Sequence, residues 1–203
     1  MRRIERAAVL LLAACLGGCL AGGEFRPTHF YAVDSEAAEA AAAETLPASA
    51  TLRRFTSVSR YGQRMIRRSS AVELDYDEYH RWADMPEELV SDALCRRLQE
   101  RRVFRSLSGP DLELPADATI EGRLLVFEQD VERHAVCSVA LVVRRSSDQG
   151  VLWSGIVTGR KRVAGTTASD LARAMALALD EVADRCAAEW RKIEALRAPG
   201  ESK

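Results

Sequence analysis

The chain has 203 residues, with 29 lysine or arginine against 30 aspartate or glutamate, a formal net charge of −1. A near-neutral, mildly acidic chain lacks the basic footprint that nucleic-acid binding requires. Five cysteines and three histidines show no CxxC or Cys/His spacing of the kind zinc sites use.

The first element is a leader. Arg2, Arg3 and Arg6 precede the apolar run Ala7 to Leu16, the charged n-region and short h-region of a secretory signal, too short for a membrane span. Leu16-Gly17-Gly18-Cys19 closes it and resembles the lipobox of bacterial lipoproteins, which implies lipidation of Cys19 as the first mature residue. Leu12-Ala13-Ala14-Cys15 also fits a lipobox, leaving an h-region of about eight residues, so Cys15 stays open as the alternative. Residue 20 is leucine; in lipoprotein sorting, aspartate there retains the protein at the inner membrane, so the resemblance points to the outer one. Removal of residues 1–18 leaves a charge of −3.

Residues 19–28 read as a tether, 29–196 as one domain and 197–203 as a disordered tail. Roughly 170 residues suffice for a single core. Phe30 to Val33 is a short strand candidate. Ser35 to Ala50, rich in Ala and Glu, reads as a solvated loop or short helix. Leu52 to Ser59 and Arg64 to Arg68 are extended, and Val72 to Tyr76 alternates apolar with acidic residues. Asp84-Met85-Pro86-Glu87 then starts a helix, with Asp84 as cap, Pro86 in the first turn and Glu87 as capping-box partner. Leu89, Ala93, Leu94 and Leu98 form its core stripe, and Arg96, Arg97, Arg101 and Arg102 suit the dipole of its last turns.

Phe104 to Leu107 is a short strand. Thr119 to Glu128, Ala135 to Arg145 and Val151 to Val163 form an antiparallel meander joined by short polar turns; the middle strand, apolar on both faces, is central or doubly covered. Thr167 to Asp170 is a capping box opening a long helix to about Leu196, with Leu171, Met175, Leu179, Val182, Cys186, Trp190 and Ile193 buried. The sum is an α+β fold: an antiparallel sheet with two main helices on one face. Cys95, Cys137 and Cys186 are either small buried hydrophobes, or Cys95 pairs with Cys186 and one thiol stays free.

The densest polar stretch is Asp75-Tyr76-Asp77-Glu78-Tyr79-His80-Arg81-Trp82. Strand alternation puts Asp75, Asp77 and Tyr79 on one side and Glu78 and His80 on the other, which separates the acids from the histidine and argues against a metal site. No serine sits in a Gly-x-Ser-x-Gly elbow and no cysteine is placed like a papain-type nucleophile. Gly155 and Gly159 are not followed by a helix, which excludes a dinucleotide loop; in a strand they mark a bulge or a close approach by a neighbour. An enzyme is not expected, nor a cofactor.

The order of landmarks carries a resemblance. A lipobox, Phe30-Tyr31-Ala32-Val33, Met65-Ile66-Arg67-Arg68-Ser69, Tyr79-His80-Arg81-Trp82-Ala83-Asp84-Met85-Pro86, a helix, and Val103-Phe104 follow one another. From about Phe30 to Trp190 this resembles the PqiC-like auxiliary lipoproteins of ABC-type transport systems. Relatives carry an Arg-Trp-Ala-Glu-Pro-like run; here Asp84 replaces the glutamate and Met85 is inserted before Pro86. The resemblance implies a non-catalytic lipoprotein on the periplasmic face of the outer membrane, partnering an MCE-domain periplasmic protein in lipid transport between membranes. A homo-oligomer is compatible, by analogy with the rings of MCE proteins. Tyr79, Arg81 and Trp82 are the candidate partner-binding residues, because arginine and aromatics anchor interfaces; Trp82 filling core beneath the first helix is the alternative. Competing functions are an assembly factor for the cell wall or outer-membrane proteins, and a direct lipid carrier, which needs a continuous apolar cavity between sheet and helices.

Overall fold

Alternation in one strand organises the molecule. In the computed structural model, which describes residues 26–34, 44–58, 60–112 and 114–198, Ala135, Cys137, Val139, Leu141 and Val143 are all buried on one face of β8 (His134–Arg145). Antiparallel neighbours flank it: β7 (Ala118–Gln129) and β9 (Val151–Arg162). This is the expected meander, with β8 at its centre.

The rest of the sheet grows from the far edge of β7, and here the sheet is mixed rather than antiparallel throughout. Along its length β7 pairs in parallel with β2 (Leu46–Leu52), then β3 (Thr56–Ser57), then β4 (Arg64–Arg68). Beyond β4 lie the antiparallel β5 (Leu74–Trp82) and, parallel to it, β1 (His29–Tyr31). Beyond β2 lies the parallel β6 (Phe104–Ser108). Nine strands form one sheet. Short parallel strands arise because the chain returns through helix and loop segments instead of hairpins.

The strand β2 corrects the expectation of a solvated segment from Ser35 to Ala50. Residues 35–43 lie outside the described residues, but Leu46, Ala48, Ala50 and Leu52 are at most 2% exposed. Pro47 sits where the β2–β6 register shifts, a position that needs no ladder donor. Alanine-rich composition hid a strand whose small side chains suit a crowded interior.

Two main helices cover one face, α1 (Pro86–Glu100) and α2 (Ala168–Trp190). The cap of α1 differs from expectation: Met85 is the N-cap, with no side-chain cap hydrogen bond, and Asp84 does not cap. Pro86 forces Met85 into an extended conformation (φ −63°, ψ 137°), as residues before proline require. At α2 the capping box forms: Thr167 Oγ1 accepts from the Asp170 N–H, and Asp170 Oδ2 accepts from the Thr167 N–H, both at 3.1 Å. The helix stops at Trp190, short of Leu196. A turn then leads into α3 (Glu194–Arg197), which returns Leu196 against β2, where it is buried.

Gly159 shows why α2 lies so close to the sheet: a Cβ there would overlap the backbone carbonyl of Ala178. Gly155 is covered by the edge of the Trp153 ring. Cys95, Cys137 and Cys186 are free and buried, and burial pushes the thiols of Cys95 and Cys137 up to about 11 and about 12. They are inert hydrophobes, not nucleophiles.

Candidate functional site

Cys19 and Cys15 lie outside the described residues, so the site visible in the structure is the β1–β5–β4 edge. Its shape comes from Asp77. The Asp77 carboxylate Oδ1 accepts from the backbone N–H groups of Tyr79 (3.1 Å) and His80 (2.9 Å), and lies 2.8 Å from His80 Nδ1. This local turn breaks the strand's alternation. Opposite it the β4 register jumps, with Ile66 facing Tyr76 but Arg64 facing Arg81. The expected separation of the acids from His80 therefore fails: the bulge folds Asp77 onto the imidazole. Burial opposes the Asp77 carboxylate, but the hydrogen bonds from His80, the Tyr79 N–H and the His80 N–H outweigh it and hold its pKa below the ordinary value. Arg67 adds a contact at 3.2 Å.

Past the bulge the strand faces are set. Trp82 is 1% exposed, stands in register with Tyr31, and packs on Phe127 with ring centroids 4.9 Å apart. It fills core. His80 shares the Trp82 side of the strand at its rim, stacked on His29 with centroids 5.7 Å apart. On the opposite face, Arg81 stands in register with Phe30 on one side and Arg64 on the other. Arg26 lies over the Tyr79 ring, 5.7 Å from its centroid, a cation–π distance. The three expected residues therefore divide: Tyr79 and Arg81 are half-buried at the surface, and Trp82 supports them from below.

Sequence reading missed the polar frame under this edge. Glu128, 4% exposed, accepts from Tyr61 Oη (2.9 Å) and Arg68 Nε (2.7 Å), fastening β4 to β7. Glu128 lies 67 positions from Tyr61 and 60 from Arg68, so no local motif announces the frame. Burial raises the Tyr61 pKa.

A second cluster sits at the β7–β8 turn, where ligand atoms of Asp130, Glu132 and His134 lie within 4.8 Å of one another. Arg160 already donates to Asp130 (2.9 and 2.6 Å) and Glu132 (2.7 Å). Asp130 Oδ1 also accepts from the Glu132 and His134 N–H groups. The guanidinium and backbone donors fill the place a cation would take, so the cluster reads as a turn lock. A surface depression lined by Gln99, Arg102, Phe104 and Arg105 among others lies where the end of α1 meets β6.

The chain matches the model of the family described as ABC-type transport auxiliary lipoprotein component over residues 61–187. No curated protein matches it. Among solved structures it is similar to protein XCC0632 from Xanthomonas campestris, with 16% identity, a TM-score of 0.75, and coverage of 85% of this chain and 100% of that one. A second similar structure, an uncharacterized protein, has 11% identity, a TM-score of 0.66, and coverage of 81% and 99%. At these identities the likeness carries the fold alone.

Proposed function

Because the chain belongs to the ABC-type transport auxiliary lipoprotein family, we propose that it is a non-catalytic auxiliary lipoprotein that docks the MCE-domain periplasmic protein of an intermembrane lipid transport system. In this reading Cys19 carries the acyl chains and the domain stands on the periplasmic face of the outer membrane. The family match over residues 61–187 is the observation that carries the proposal. The lipobox Leu16 to Cys19 and the leucine at position 20 support the anchor and its membrane. Two or more acyl chains hold a protein stably, at about 0.8 kcal/mol per buried CH₂.

Docking is assigned to the surface of Tyr79 and Arg81, with Trp82 as the buried support that fixes β5 beneath them. Arginine and tyrosine are favoured interface anchors, and both are surface-accessible here. A lipid-carrier reading has less support, because α2 lies directly on β9 at Gly159, where an acyl-binding cavity would need space.

The test of the anchor is the mass of the mature N-terminal peptide from envelopes. Acylated Cys19 supports the reading, whereas a mature chain starting at Cys15, or an unmodified cysteine, contradicts it. The docking half is tested by the proteins cross-linked to the full-length lipoprotein in its native envelope.

A further inference from the structure

We infer that the docking surface takes an acidic segment of the partner protein, held between Arg64 and Arg81 with Phe30 as its apolar anchor; this rests on the docking reading above. The observation is one row of side chains crossing three strands. Phe30 on β1, Arg81 on β5 and Arg64 on β4 are register partners in sequence across the sheet, so all three stand on the face opposite Trp82 and the core.

Two arginines directly opposite one another destabilise a strand pair. Among the described residues neither Arg64 nor Arg81 has an ion pair. Their neighbours on β4 are treated differently: Arg67 has Asp77 and Arg68 has Glu128. Arg81 Nε is a buried donor with no hydrogen-bond acceptor, a state that native structures seldom leave uncorrected. Beside this pair Phe30 is 61% exposed, a large apolar side chain at an edge strand. The row thus holds two unmatched guanidinium forks and an open aromatic face.

The geometry selects the ligand chemistry. A guanidinium fork fits a carboxylate bidentately. Neighbouring strands are about 4.8 Å apart, and two long, like-charged guanidinium arms that splay apart span the ~6.8 Å between alternate side chains of an extended segment. Two carboxylates at alternate positions, flanked by an apolar residue to meet Phe30, would satisfy the row. A broad anionic surface fits less well, because the exposed carboxylate of Glu78 on the same strand would meet it with like charge.

The experiment places a photo-reactive benzoylphenylalanine at position 30 of the full-length lipoprotein in its native envelope and maps what it captures. The expected result is capture of an MCE-domain protein through a peptide carrying at least two acidic residues close together. An Arg64→Gln, Arg81→Gln double variant should lower that capture about tenfold or more, with its thermal midpoint unchanged, and Arg64→Lys, Arg81→Lys should restore part of it. Capture of a neutral or basic peptide, capture of lipid instead, or undiminished capture by the double variant overturns the inference and leaves docking itself standing. If cross-linkers placed at position 30 and across the rest of the domain never recover an MCE-domain protein, the docking reading fails first.

Discussion

Arg97 Nε donates to Asp180 Oδ1 at 2.8 Å, joining α1 to α2 through a guanidinium that is 1% exposed. The same group donates to the carbonyl oxygens of Val33 (2.9 Å) and Ala176 (3.3 Å). It therefore ties the segment that follows β1 to both helices. Arg97→Ala removes the buried guanidinium from all three acceptors, leaving Asp180 the longer contact with Arg101 at 3.6 Å, and should cost about 3 kcal/mol. The thermal midpoint should fall by roughly 6–12 °C for a domain of this size. A shift under a degree would show that the clamp contributes nothing net.

At Gly159 the sheet and α2 come too close for any side chain. Gly159→Ala should overpack the interface and cost about 1–3 kcal/mol, read as a lower urea midpoint. Gly62 is the control, since nothing lies within 4 Å of a Cβ built there. Equal effects at the two positions would refute the close-packing account.

Trp82 and its surface neighbours should separate in a truncation series. Trp82→Ala removes a fully buried ring from Phe127 and should destabilise by about 3–5 kcal/mol. Tyr79→Ala and Arg81→Ala should leave the thermal midpoint within a few degrees while reducing partner cross-linking. A Trp82→Ala variant that kept its midpoint and lost only the partner would place Trp82 in the interface instead.

Acid should loosen the junction of β2 with β7. Ser49 donates to Asp117 Oδ2 through its N–H (2.7 Å) and hydroxyl (2.8 Å), and these bonds hold the Asp117 pKa below its ordinary value. A depressed carboxylate adds stability above its unfolded pKa of about 3.9, and that stability is lost as pH falls through the folded value. Asp117→Asn should therefore be less stable than the parent at neutral pH, with the gap closing below about pH 4. A gap independent of pH would remove ionisation from the explanation.

What the sequence revealed follows from how local each signal was. The meander strands, the Thr167–Asp170 capping box and the stripe of α2 from Leu171 to Trp190 rest on periodicity and short-range hydrogen bonds and stand as expected, whereas the helix ends before Ile193, which caps α3. The parallel pairing of β2, β3 and β4 onto β7 was hidden, because parallel neighbours are distant in sequence and leave no turn motif. Arg97 reads in the sequence as a helix-dipole cation, since burial of a lysine or arginine is rare and cannot be read without its partner Asp180. At the candidate site, composition marks the segment Tyr79 to Trp82, but the Asp77 bulge defeats simple alternation. The Phe30–Arg81–Arg64 row needs the register of three strands and could not be seen from the chain alone.

The central claim is the partnership, and cross-linking in the native envelope followed by mass spectrometry tests it most directly, with Cys19→Ala as the anchoring control. The account predicts recovery of an MCE-domain protein with the parent chain and its loss or sharp reduction with Cys19→Ala. Recovery of cell-wall synthases or outer-membrane assembly proteins in place of an MCE-domain protein would contradict it.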